Sequence, residues 1–182
     1  MDKMNFLEFA RERYSCRKLT GAPVAAEKLE RILEAARIAP TAHNEQPFRV
    51  FLLESPEAVE KVHEITPCIF GADCFLMVAA VPGEAWVREF DQTNFATVDA
   101  SIVATHIMLA IEAEGLGTTW VGYFDATTWV GYFDAPRAKE LFPVMAPYEL
   151  IALFPIGEKA AEAHPAHLHE KRKPIADLVE RF

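Results

Sequence analysis

A largely apolar stretch from Val98 to Leu116 constrains the fold of this chain more than any other segment. Apolar side chains would occupy nearly every side of a helix formed here, and the stretch ends at Gly115-Leu116-Gly117. A helix with so little polar surface must be enclosed by the protein core or by a second subunit. We therefore predict a buried helix over 98–116 and expect the protein to form a homodimer.

Amphipathic helices are predicted on the N-terminal side of this stretch. Apolar residues recur at helical spacing over 5–13 and 26–39, with charged residues on the opposite face. Pro40 should end the second helix, because proline lacks an amide hydrogen and restricts the residue before it. Cap and first-turn pairs predict two further helices, over 56–65 after Ser55-Pro56 and over 136–142 after Asp134.

Three short apolar runs are rich in β-branched and aromatic residues, which is typical of central strands. They cover residues 48–53, 74–81 and 150–156. Helices and strands alternate along the chain without a strict βαβ repeat. This order favours one sheet sandwiched by helices.

A perfect tandem repeat interrupts the pattern, since residues 118–126 and 127–135 both read TTWVGYFDA. Two copies are too few for a solenoid, which stacks several units. With one copy removed, Gly117 leads through a smooth strand into the helix at Pro136. We expect one copy to fill that strand and the other to loop out or form a hairpin arm. The repeat is a recent duplication, a deliberate insertion or an error in the recorded sequence.

The composition is that of one folded domain spanning 1–182, because 51% of the residues are hydrophobic. Eighteen Lys and Arg against 27 Asp and Glu give a net charge of −9, which argues against a general nucleic-acid binder. We expect no membrane partner, since no stretch approaches the roughly 20 apolar residues of a membrane span, and we expect no signal peptide. The three cysteines show no CxxC spacing, which favours a cytoplasmic protein without disulfides.

Two basic segments stand out in this acidic chain. Arg13, Ser15 and Arg17 occupy alternate positions after the first helix, so an extended backbone would point two guanidiniums and a hydroxyl the same way. Forked donors of this kind suit a phosphate monoester, although solvated basic residues are also common at helix C-termini. The second segment, Lys171-Arg172-Lys173, is by itself typical of a solvated face.

A polar loop from Pro40 to Gln46 joins the second helix to the first strand. Its hydroxyl and amide groups include those of Thr41 and Asn44. Such groups, on a loop held by rigid elements, can hydrogen-bond the carbonyls and ring nitrogens of a heterocycle. The alternative is an ordinary helix stop followed by a turn.

Taken together, these segments resemble the FMN-dependent nitroreductase family. The similarity runs from R-x-S-x-R at Arg13 through EKLERILEAARIAPTA-x-N-x-QPFRV. It continues with Asp99 at the start of the long apolar helix, with GLGTTWVGYF from Gly115, and with R-K-P from Arg172. The resemblance implies an α+β fold, in which helices flank a central, mostly antiparallel sheet, and an intertwined homodimer with two FMN sites at its interface.

By this resemblance, three groups of residues hold FMN. The basic segments bind the phosphate and ribityl chain, the polar loop contacts the flavin from the other subunit, and the backbone of one repeat copy lies against N5. The first group is Arg13, Ser15, Arg17, Arg172 and Lys173; the second is Pro40, Thr41, Ala42, Asn44 and Gln46; the third is Gly122-Tyr123 or, equally, Gly131-Tyr132.

The implied activity is the transfer of a hydride from NADH or NADPH through FMN to an acceptor such as a nitroaromatic or quinone, in ping-pong order. Because the flavin carries this chemistry, no catalytic side chain is predicted. The alternatives are a non-enzymatic flavin-binding or storage dimer, and a family member with diverged flavin chemistry. From composition alone, a helical dimerisation module is a further alternative.

The three histidines His164, His167 and His169 lie close together in the sequence. They lack a common strand or helix face that would turn them toward one ion, so we predict a loop or a tail that wraps a subunit rather than a metal site.

Overall fold

A four-stranded antiparallel sheet forms the centre of the fold in the computed structural model, which describes residues 5–122 and 132–182. Its strands are β1 (Phe48–Leu53), β2 (Cys74–Ala80), β3 (Val121–Gly122) and β4 (Glu149–Ile156). Their order across the sheet is β1-β2-β4-β3. The three predicted strands are confirmed within one residue at each end.

Five α-helices surround this sheet in the described residues: α1 (Phe6–Glu12), α2 (Ala26–Arg37), α3 (Pro56–Ile65), α4 (Ala96–Ala113) and α5 (Ala135–Leu141). Both predicted caps are present, because the Ser55 side chain accepts the Ala58 N–H at 3.2 Å and Asp134 accepts the Arg137 N–H at 2.9 Å. Each cap satisfies an N–H that the helix itself leaves unpaired.

The long apolar helix α4 ends earlier than predicted. Gly115 adopts a φ of 72°, in the left-handed region that glycine enters without strain. The Leu116 N–H turns back to the Ile111 carbonyl at 3.0 Å and closes the helix. The prediction of a helix as far as residue 116 was therefore wrong by three residues, because the glycine is part of the cap.

The sheet is enclosed on both faces, as predicted, because β2 is buried along its whole length. Alternate side chains of a strand point to opposite faces. Leu76 and Val78 pack in the cluster that contains α2 and α4, whereas Phe75 and Met77 pack in the cluster that contains α3 and α5. The architecture is α+β, with helices on both sides of one antiparallel sheet.

The helix α4 covers the sheet with one side only. It contacts α2, β2 and β4, and its buried residues are Ala96, Asp99, Ala100, Val103, Ala104, Ile107 and Ile111. Val98 remains 47% exposed, and Ile102, Met108 and Leu109 are only half-buried. The expectation that no stretch approaches a membrane span was wrong for α4, which is long and apolar enough to cross a membrane. Its packing, however, is that of a core helix whose second face is uncovered in the single chain.

The tandem repeat contributes to the sheet from both of its copies. Residues Val121–Gly122 of the first copy form β3, and Tyr132 of the second copy is bridged to Gly122. The Phe133 N–H also donates to the Gly122 carbonyl at 3.3 Å. Within the described residues, the first copy therefore forms the strand as far as Gly122, and the second copy provides the residues that lead into α5. Residues 123–131 lie outside the described residues.

Candidate cofactor site

The N-terminal basic segment, residues 13–18, is held in an extended conformation after the end of α1. The Cys16 N–H donates to the Thr118 carbonyl at 2.9 Å, and the Lys18 carbonyl accepts the Ala160 N–H at 3.1 Å. Cys16 is completely buried. Since neighbouring side chains of an extended segment point in opposite directions, Ser15 and Arg17 face away from the core on the same side.

The basic segments carry cations without acidic partners. Seven Arg and Lys residues form the eight ion pairs between described residues, and none of these pairs involves residues 11–18 or 171–173. In a chain with a net charge of −9, this separation leaves two basic segments free to bind an anion. Guanidinium groups bind phosphate oxygens in a forked geometry.

The fold fixes the C-terminal basic segment against the end of α1, next to the N-terminal basic segment, but Arg172 lines a different depression from Ser15 and Arg17. His169 is hydrogen-bonded through Nε2 to the Arg11 carbonyl at 2.9 Å, which fixes the C-terminal segment against the end of α1. Arg172 lines a depression of about 400 Å³ together with Ala10, Arg11, His169 and Glu170. A second depression, of about 180 Å³, is lined by Ser15, Arg17, Lys18, Glu162, Ala163, His164 and Ala166.

Tyr14 contacts His169, which lines the first depression, and adds no negative charge beside it. Its ring meets the His169 ring edge-on at 6.3 Å between centroids, and Lys159 Nζ lies 5.2 Å from the Tyr14 ring centroid. Burial, together with the neighbouring Cys16, raises the pKa of Tyr14 to about 12. The phenol is neutral at physiological pH, as it would be at its ordinary pKa near about 10.

The polar loop, residues 40–46, is a strained turn. His43, Asn44 and Gln46 have φ angles of 52°, 58° and 54°, in the left-handed region that side chains disfavour. Within the loop, Thr41 Oγ1 accepts the Gln46 N–H at 3.1 Å and the Asn44 N–H donates to the Thr41 carbonyl at 3.0 Å. Strained backbone of this kind concentrates at functional sites.

Two other parts of the fold hold this loop. Asp99 Oδ1, from the first turn of α4, accepts the Ala42 N–H at 2.9 Å. The His43 ring stacks on Trp86 with centroids 4.9 Å apart and an interplanar angle of 13°. Neither Asp99 nor Trp86 was predicted to contact the loop. The signals for Asp99 were its place at the start of a largely apolar helix and its match to the family pattern there.

The basic segments and the polar loop lie at opposite ends of the sheet within one chain. The loop precedes β1, where Phe48 pairs with Ala80 and Ala80 pairs with Glu149. The basic segment borders the other end, where Leu19 pairs with Lys159. From Glu149 to Lys159 the chain spans about 30 Å, at a rise of about 3.3 Å per residue. A single chain therefore keeps the two groups of predicted residues apart.

The predicted backbone contact is described only in part. Gly122 lies at the end of β3, opposite Ala152, and Tyr132 is bridged to it. Tyr123 and Gly131 lie outside the described residues. Through the Cys16–Thr118 hydrogen bond, this strand and the N-terminal basic segment belong to the same half of the candidate site.

The histidines of the C-terminal region do not form a metal site in the described part of the chain. His164 Nδ1 lies 3.0 Å from the Pro165 carbonyl oxygen, and His169 Nε2 is bound to the Arg11 carbonyl.

Comparison with known proteins identifies the family and the type of fold. The model of the nitroreductase family matches residues 10–67 and 66–158. The FMN reductase [NAD(P)H] of Bacillus subtilis strain 168 is 32% identical over 124 residues, which cover 59% of this chain and 50% of that protein. A Methanothermobacter thermautotrophicus protein, whose name pairs NADH dehydrogenase with NAD(P)H nitroreductase, is 30% identical over 135 residues, or 68% of this chain. The chain spans 64% of the length of that relative.

Solved structures have the same fold as this protein along nearly the whole chain. A nitroreductase family protein from Clostridium difficile 630 superimposes with a TM-score of 0.84 at 33% identity, covering 97% of this chain and 98% of that chain. A complex with FMN from Desulfovibrio desulfuricans has the same fold, with a TM-score of 0.74 at 24% identity and 99% of both chains covered.

Proposed function

Because the chain belongs to the nitroreductase family, we propose that it is an FMN-dependent oxidoreductase that takes electrons from NADH or NADPH. Its acceptor would be a nitroaromatic, a quinone or a similar small molecule. The observation that carries this proposal is that Arg11 and Arg172, which form no ion pair with a described residue, line one depression, and that the adjoining segment is bonded through Cys16 to the chain that enters β3.

The basic segments fit the phosphate of FMN. Arg13, Ser15 and Arg17 would offer charged and neutral donors from one extended segment, and Arg172 and Lys173 would approach from the C-terminal side. No ion pair within the described residues occupies these cations. Charge-assisted bonds of this type are roughly twice as strong as neutral hydrogen bonds.

The polar loop and the β3 backbone fit a planar, hydrogen-bonding ring system. Pro40, Thr41, Ala42 and Asn44 would contact it from the loop, with Gln46 as a neighbour, and the backbone near Gly122 would lie on its other side. When bound, FMN supplies the two-electron exchange between NAD(P)H and the acceptor. The protein supplies placement and a positive field, and no side chain is needed as an acid or base.

We also propose that the enzyme is a homodimer whose two flavin sites are shared between subunits. The two halves of the site lie at opposite ends of the sheet in each chain, so one chain alone cannot close a site. A depression of about 440 Å³ on the uncovered side of α4 is lined by Phe6, Phe9, Ala35, His106, Leu109, Ala110 and Ala113. This apolar surface, with Phe6 60% exposed, suits burial against a second copy.

Subunit complementation tests the shared site. One variant carries Arg13→Ala and Arg17→Ala, and the other carries Thr41→Ala and Asn44→Ala; we expect each alone to bind FMN poorly. Refolding the two together in equal amounts gives heterodimers with one intact site, so about a quarter of all sites should regain FMN. Each variant refolded alone is the control. No recovery in the mixture would place both halves of the site in one chain.

A flavin-storage dimer is the alternative function that the same geometry permits. It requires the same phosphate and ring contacts but no exchange with a nicotinamide. Reduction of the bound flavin by NADH or NADPH separates the two functions. The free cysteines Cys16, Cys68 and Cys74 fit the cytoplasmic location that we propose for the enzyme.

A further inference from the structure

Asp99 is the one Asp, Glu, Lys or Arg that is buried among residues 5–122 and 132–182, with 1% of its surface exposed. Its Oδ1 accepts the Ala42 N–H at 2.9 Å. Its Oδ2 is also buried and has no hydrogen-bond partner in the described part of the chain. The carboxylate thus makes a single side-chain hydrogen bond, and that bond goes to the polar loop.

The cost of burying Asp99 argues that this bond matters to more than the fold. Burying a carboxylate opposes folding through desolvation, and the free oxygen adds an unmade hydrogen bond. The N-terminal end of α4 favours negative charge and offsets part of the cost. A small apolar side chain at position 99 would avoid the cost altogether, and it would match the rest of the buried helix face.

The hydrogen bond from the Ala42 N–H to Asp99 lies at the residue where the strained turn begins. Ala42 is the first residue of the short 3-10 turn that ends at Asn44, and His43 and Asn44 both have positive φ angles. Backbone of this kind persists where surrounding contacts fix it. The Asp99 carboxylate and the Trp86 ring are contacts from other elements that bear directly on this turn.

We propose that Asp99 is a positioning residue, which fixes the polar loop through the Ala42 N–H in the conformation that receives the flavin. Asp99 acts through the backbone of the loop and does not itself touch the cofactor. The identity of the ligand rests on the proposed function, whereas the effect of Asp99 on the loop is a property of the protein without FMN.

The first experiment measures the loop in the absence of FMN. Amide exchange over residues 41–46 should become about tenfold faster or more in Asp99→Ala, because the turn loses its anchor. The melting temperature of the same apoprotein should stay unchanged or rise, because a buried, incompletely bonded charge has been removed. Asp99→Asn keeps an oxygen acceptor and should retain slow exchange. Thr97→Ala, in the same helix turn but bonded to exposed Glu149, is the matched control.

The second experiment measures the affinity of the apoprotein for FMN. Asp99→Ala should weaken binding by about tenfold or more, the loss typical of a charge-assisted bond. Ala42→Pro removes the donor from the loop side, and Thr41 already has the extended ψ of 157° that a residue before proline needs. Both changes remove the same contact, the hydrogen bond from the Ala42 N–H to Asp99. The double variant should therefore bind FMN no more weakly than Ala42→Pro alone.

Several results would overturn the inference. Unchanged amide exchange and unchanged FMN affinity in Asp99→Ala would show that the hydrogen bond to Ala42 does not fix the loop. A melting temperature that falls with the affinity, or failure of Asp99→Ala to fold, would make Asp99 a structural residue. Additive losses in the double variant would break the link to Ala42. A wild-type protein that shows the predicted exchange but binds no FMN would instead contradict the proposed function.

Discussion

The Cys16 N–H donates to the Thr118 carbonyl at 2.9 Å, and this bond joins the N-terminal basic segment to the chain that enters β3. Gly117 makes the approach possible. A Cβ added there would lie 2.9 Å from Cys16 Sγ, 2.8 Å from Leu19 Cδ2 and 2.9 Å from Lys159 Cγ. The phosphate half of the proposed site therefore depends on a glycine outside it.

Gly117→Ala should lower both stability and FMN affinity. Overpacking at this point should cost about 1–3 kcal/mol of the free energy of unfolding, because three side chains must move at once. Denaturant unfolding and FMN titration measure the two effects. Gly83→Ala is the matched control, since nothing lies within 4 Å of a Cβ at that position. Equal behaviour of the two variants would contradict the close packing at Gly117.

Arg13→Ala and Arg17→Ala should each weaken FMN binding about tenfold or more, since a hydrogen bond to a charged group contributes about 1.5–3 kcal/mol. The loss should be smaller for riboflavin, which lacks the phosphate. Arg37→Ala removes an exposed arginine that pairs with Glu34 and should leave the affinity unchanged. Wild-type affinity for FMN in both variants would contradict the proposal that Arg13 and Arg17 bind the phosphate.

Deleting nine residues tests whether both repeat copies are needed. Because the copies are identical, deletion of 118–126, 123–131 or 127–135 gives the same protein. The shortened chain should keep its fold and FMN binding, and it should gain about 1–2 kcal/mol of stability, because the closed connection between Gly122 and Tyr132 disappears. Calorimetry and gel filtration check this. Loss of the dimer would show that the additional residues are structural.

The side-chain contacts of Asp91, in the turn formed by residues 88–93, should be lost at low pH. Arg88 holds the pKa of Asp91 at about 2, mainly through a side-chain hydrogen bond. A lowered pKa means that the pair is fully formed above the ordinary value near 4 and is lost as the pH falls through about 2. The Thr93 N–H, which donates to Asp91 Oδ1 at 3.2 Å, should report that midpoint by NMR.

Arg88→Ala provides the comparison for this titration. Without the guanidinium, the Thr93 amide should titrate with a midpoint near 4, the ordinary value for aspartate. An unchanged midpoint in the variant would show that Arg88 does not control the carboxylate of Asp91.

Much of the fold was predictable because its signals are local. The β1 boundaries follow from an apolar run, and the start of α3 follows from Ser55-Pro56, whose cap is present. The end of α4 was misplaced because Gly115 acts through its left-handed φ within a local cap. A hydropathy pattern records where side chains are apolar, and it does not record where the backbone turns.

The residues of the candidate site stay a prediction, and their arrangement could not be predicted from the sequence. Alternation predicted a common side for Arg13, Ser15 and Arg17, and of these Ser15 and Arg17 line one depression. The contacts of Ala42 with Asp99 and of His43 with Trp86 join residues more than forty positions apart, so no spacing in the sequence encodes them. The separation of the two half-sites likewise depends on sheet register, which is a property of strand pairing.

The central claim is that this protein is a working flavin reductase, and the visible spectrum under anaerobic NADH or NADPH tests it most directly. The purified protein, or the apoprotein after addition of FMN, should show bands near about 375 and 450 nm that bleach when one of the two nucleotides is added. Reoxidation by a quinone should restore the bands. A bound flavin that neither nucleotide bleaches would favour the storage dimer, and a protein that refuses FMN would contradict the account.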